Sequence, residues 1–159
     1  MGAQQLATTR PNAQLAKQAL EHVLHLEPDH PGACHLYIHL MEASGNSSKA
    51  LRCADALVGP ARMPGSPHMN HLPSHIFIHS GRYQEGAEAN RRAIAGAAAD
   101  ALYPMHNREF LVWLLRLQGN STAALAWSAW VRGWAWVAAA VPQCLGLGAE
   151  ATVAQPHSN

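Results

Sequence analysis

Histidine is the residue through which this sequence can do chemistry. Eleven of its 159 residues are histidine, as many as lysine and arginine together. Two pairs share one spacing, His35 with His39 and His71 with His75, four residues apart in each case. Each pair also keeps its distance from a following glycine. His35 and His71 stand ten residues before Gly45 and Gly81, and His39 and His75 stand six before. Residues four apart share one face of a helix, so each pair presents two imidazoles to one side. Packed helices lie roughly 8–10 Å apart, so imidazoles from two neighbours can converge on an ion at the roughly 2.0–2.1 Å that zinc requires. Gly119 continues the register with a change: Glu109 and Trp113 take the two histidine places. His106 stands thirteen residues before Gly119, as His68 does before Gly81. The candidate ligands are therefore His35, His39, His68, His71, His75, His106 and Glu109. They can hold one ion or two, and nitrogen donors suit a divalent transition metal such as zinc, copper, nickel, iron or manganese.

A second reading of the same residues is a histidine-rich polar surface that hydrogen-bonds a peptide or an acidic partner. Pro73 falls between His71 and His75, and proline lacks the N–H that a helix interior needs. The expectation is that a helix starts at Pro73, with His68 and His71 on the approach loop. His22, His25, His30 and His79 lie outside the register and read as solvated or capping residues. Cys34, beside His35, reads as a small buried filler. No nucleophile constellation is legible: G-x-S-x-G, H-E-x-x-H, a phosphate loop and a dinucleotide fingerprint are all missing. Were the site catalytic, Glu109 would be its general base or carboxylate ligand. The expected role is binding rather than catalysis, with a hydrolytic or oxidative metalloenzyme as an alternative.

The glycines also reveal the elements that position these side chains. Gly45, Gly81 and Gly119 are separated by 36 and then 38 residues, and an apolar-periodic segment lies on each side of each. This is a helix–turn–helix unit in which glycine ends the first helix in a left-handed conformation. Five residues after each glycine stand Ala50, Gly86 and Ala124; four before stand Met41, Phe77 and Leu115. With Tyr83, and with Ala16, Leu20, Val23 and Pro28 upstream, this pattern resembles the tetratricopeptide repeat. The family's tryptophan is replaced by Cys34, Asn70 and Arg108. The segments HLYIHLMEAS, HLPSHIFIHSGRY and YPMHNREFL also resemble a histidine-rich, bacterial-type group of such proteins. The resemblance implies an all-α solenoid of three helix pairs after a half repeat, with a concave groove that takes a protein or peptide. It places the histidine pairs in that groove. Helices are expected at 13–26, 32–43, 47–58, 70–80, 84–96, 105–118 and 121–138, within a repeat domain at 13–138. The segments 1–12 and 139–159 flank it, the latter expected to be disordered.

Composition narrows the function classes. Charged residues make up 13% of the chain and the formal net charge is +1, so there is no basic footprint for nucleic acid. Cys34, Cys53 and Cys144 form no C-x-x-C pair and suit a reducing compartment. No signal-peptide core is legible near Met1, so the expected location is the cytoplasm. The apolar stretch 123–141 carries Arg132 at its middle, and a charge there opposes membrane insertion. It reads instead as a buried helix whose Trp127, Trp130 and Trp134, with Trp113, form core or a self-association surface. An apolar last helix without a polar cap points to a longer array or an oligomer.

Overall fold

The computed structural model describes residues 11–59, 62–96 and 103–129, and every regular element among them is helical. α1 (Pro11–Leu26) is followed by α2 (Pro31–Ala43), and a 3₁₀ turn at Ser47–Ala50 leads into α3 (Leu51–Val58). Two short helices follow, α4 (Pro67–His71) and α5 (Ser74–Phe77), and a 3₁₀ turn at Ile78–Ser80 closes the second. α6 (Tyr83–Ala95), α7 (Tyr103–Leu117) and a helical stretch over 121–129 complete the described elements. The expected boundaries at 13–26, 32–43, 47–58 and 84–96 lie within two residues of these. The remainder of the expected last helix, with Trp130 and Trp134, and the tail lie outside the described residues. No helix among the described residues is long and apolar enough to cross a membrane.

Local chemistry explains the boundaries. His30 caps α2, its Nδ1 accepting from the Ala33 amide at 3.1 Å, and Pro31 begins the helix with φ already set. Gly45, Gly81 and Gly119 have φ of 72°, 76° and 77°, the left-handed stop expected of them. Successive helices pack on one another: α1 on α2, α2 on α3, α3 and α2 on α5, α4 and α5 on α6, and α6 on α7. Two apolar clusters result. One joins Ile38, Met41, Leu57, Leu72, Ile76 and Phe77, and the other joins Ile78, Ala87, Leu111, Leu114, Leu115 and Ala124. The six residues that keep register with the glycines (Ala50, Gly86, Ala124, Met41, Phe77 and Leu115) are all buried. At Gly86 a Cβ would lie 3.1 Å from the Leu114 side chain, so α6 and α7 approach closely there because the residue is small.

Polar contacts fix the helices laterally. Tyr37 Oη donates to Glu21 at 2.9 Å and ties α2 to α1. Arg82 bridges Asp55 at 2.7 Å and also pairs with Glu85, while its guanidinium covers the Phe77 ring at 4.2 Å. That stacking combines charge with apolar cover at the junction of α3, α5 and α6. Trp113, expected in the core or on a self-association surface, is 51% exposed and rests on Phe110. Trp127 is partly buried against the second cluster.

Candidate metal centre

The site is built around an interrupted helix. Ser66 caps α4 by accepting from the Met69 amide at 3.3 Å, and Pro67 occupies the first turn. The chain does not leave helical geometry at Pro73, where φ is −55° and ψ −27°. His75 N instead donates to Leu72 O at 3.2 Å, three residues back rather than four. The carbonyl of His71, which would have received that bond, accepts from Ser74 Oγ at 2.7 Å. Proline has no N–H to give to Met69 O, yet Leu72 and Pro73 keep helical φ and ψ between the two short helices. The expectation that His68 and His71 lie on a loop is overturned: both are helical, and His71 and His75 remain on one face.

Six of the seven sequence candidates come together as two groups. His71, His75 and His106 form an inner triad, and His35, His39 and His68 an outer one; in each the potential ligand atoms lie within 4.8 Å of one another. Either triad can hold a metal ion. In the inner triad His71 Nε2 faces His75 Nε2 at 2.8 Å, and the His106 ring lies 4.6 Å from that of His71. In the outer triad His35 Nε2 faces His68 Nε2 at 3.0 Å, and the His39 ring stands 5.1 Å from His35. The triads adjoin through His39 and His75, whose ring centroids are 5.6 Å apart. Phe110 walls the inner group, with its ring 5.1 Å from His71 and 4.7 Å from His75. Glu109, the seventh candidate, belongs to neither triad and is exposed; it acts on His106 only through its charge.

Two residues outside the sequence-derived set hold the inner rings. Asn90, fully buried on α6, uses Nδ2 to donate to the Gly86 carbonyl at 2.8 Å. That contact orients the amide, so Oδ1 accepts a hydrogen bond from His71 Nδ1 at 2.7 Å. Glu42 Oε1 accepts from His75 Nδ1 at 2.9 Å. Burial opposes the charge on Glu42, but the His75 hydrogen bond and the neighbouring histidines prevail and hold its pKa below the usual carboxylate value. Both imidazoles therefore carry hydrogen on Nδ1, an assignment that follows from their partners. Their Nε2 atoms then face each other across 2.8 Å. Two neutral acceptors repel at that distance unless a cation or one extra proton lies between them. Two nitrogens bound to one tetrahedral zinc would be about 3.3 Å apart, a small adjustment from the observed spacing.

Electrostatics prepares the rings as ligands. Burial, reinforced by the His75 and His106 charges, pushes His71 down to about 3 against the favourable Asn90 bond. His68 is pushed down to about 4 by burial and by the surrounding histidines. Burial also lowers His35, His39 and His106. Neutral imidazole is the metal-binding form, so these rings need not lose protons near neutral pH before coordinating.

No family model, curated protein or solved structure matches this chain. Glu42 had a sequence signal, since it lies seven residues after His35 and three after His39 on one helical stripe. Asn90 had none, because its partnership with His71 exists only once α6 packs on α4. The histidines outside the register behave as expected: His22, His25 and His79 are exposed, and His30 caps α2.

Proposed function

We propose that this chain is a helical-repeat protein that binds a divalent transition metal in its inner histidine triad. The observation that carries this reading is the approach of His71 Nε2 and His75 Nε2 to 2.8 Å while Asn90 and Glu42 contact both Nδ1 atoms. An imidazole whose second nitrogen donates to a carboxylate or an amide oxygen is the usual oriented metal ligand. Zinc fits most directly, because three imidazoles and one further ligand make its preferred tetrahedron. Binding is preferred over catalysis because Glu42, the carboxylate in contact with the triad, is engaged by His75.

A tetratricopeptide-like stacking supports the same picture. Three left-handed glycines recur at near-equal intervals, small and apolar residues in register with them are buried, and each helix packs on its neighbours. Such an array offers a groove for a protein or peptide segment, which the metal would help to hold. Cobalt(II) tests the metal reading without a known partner. Wild-type protein should give the intense visible bands of tetrahedral, nitrogen-ligated cobalt, and His75→Ala should lose the inner site's share. Pale octahedral cobalt in both proteins would favour the metal-free scaffold.

A further inference from the structure

His39 of the outer triad lines an apolar groove that no residue of the inner triad lines. α1 contributes Ala16, Ala19 and Leu20 to it, α2 contributes Leu36 and Leu40, and His39 stands among them as a wall residue. The cavity measures about 560 Å³, within the range of small-molecule sites. Leu36, between His35 and His39 in the chain, is 56% exposed. Among the described residues, no charged side chain lines the groove. Resting on the metal reading above, we propose that the outer triad holds a second ion whose remaining position takes the carboxylate of a hydrocarbon-chain acid, with the chain lying in this groove. Three neutral imidazoles leave a divalent ion its full charge, so its fourth ligand is favoured as an anion. Carboxylate oxygen is an accepted zinc ligand at roughly 2.0–2.2 Å. The apolar lining then selects what may be attached to that oxygen: methylenes gain by leaving water there, and polar groups do not.

The test is calorimetric titration of acetate and octanoate into protein loaded with two equivalents of zinc, with metal content measured on the same sample. Octanoate should bind roughly 50-fold more tightly than acetate, as expected if its six additional methylenes are each about half-buried. Ala19→Glu, on the exposed face of α1, should retain both zinc ions and bring octanoate down to the level of acetate. His39→Ala should lose one zinc ion and the octanoate site together. A single zinc per chain would overturn the inference and leave the inner site standing. So would equal affinity for acetate and octanoate in the two-zinc protein, or octanoate bound equally well without zinc. Absence of any bound zinc would overturn this inference and the metal reading together.

Discussion

Zinc at about 100 times its dissociation constant should stabilise the wild-type protein by about 2.7 kcal/mol near pH 7.5. For a chain of this size that is a rise of about 10 °C in melting temperature. The inner triad is expected to be the tighter site, because Asn90 and Glu42 fix two of its rings before the ion arrives. Asn90→Leu removes the acceptor that places hydrogen on His71 Nδ1, so His71 Nε2 is no longer held as a lone pair. Loss of such a partner weakens metal binding by about 10- to 100-fold. At the same zinc concentration the inner site's gain should then shrink to about 0.4–1.4 kcal/mol. Comparing each protein with and without zinc removes the variant's own change in stability. Glu42→Gln keeps an oxygen acceptor for His75 while removing the charge, and should give an intermediate loss. An undiminished zinc increment in Asn90→Leu, measured by thermal or urea unfolding, would show that the amide does not prepare the site.

Without metal, the protein should lose about 3 kcal/mol of stability as pH falls from 7 to 4.5. Most of this comes from His71, pushed down to about 3 by burial and by the charges of His75 and His106. Between the ordinary histidine pKa and that value, the unfolded chain binds the proton and the folded chain does not. Stability therefore rises with pH across the window and levels off above about pH 7. His68, pushed down to about 4, acts in the same direction, but solvent screening at its partly exposed position reduces its share. Glu42 also favours the folded state above its lowered pKa, chiefly through the His75 hydrogen bond that outweighs its burial, and its share fades at the acid end. Burial lowers His35, His39 and His106 as well, and so acts in the same direction. Urea unfolding of chelator-treated protein measures the slope. A flat profile from pH 7 to 4.5 would mean that His71 is not held neutral by its surroundings.

Much of this site was legible because repetition placed histidines at fixed distances from glycines. The glycines mark the ends of first helices, and their left-handed φ values show why the register counts back from them. What the register does not contain is how neighbouring units face one another. It treats six histidines as one set, whereas packing divides them into triads that meet at His39 and His75. Glu109 occupies a histidine register position but is exposed beyond both groups, and Glu42 is the carboxylate the triad uses. Pro73 does break the helix as its missing N–H predicts, with α5 restarting at Ser74, but the segment before it is itself helical, so His68 and His71 are not on a loop. Ser74 Oγ satisfies the His71 carbonyl that His75 N bypasses, an accommodation visible only in the folded chain. Asn90 lies on a different helix from its partner, and no spacing along the chain connects them.

The most direct test of the central claim is the zinc retained after loading and gel filtration of protein free of any histidine tag, compared with His71→Ala/His75→Ala. The wild-type protein should retain about one zinc ion more per chain than the double variant, the difference belonging to the inner triad. Equal zinc content in the two folded proteins, or none in either, would contradict metal binding by His71, His75 and His106.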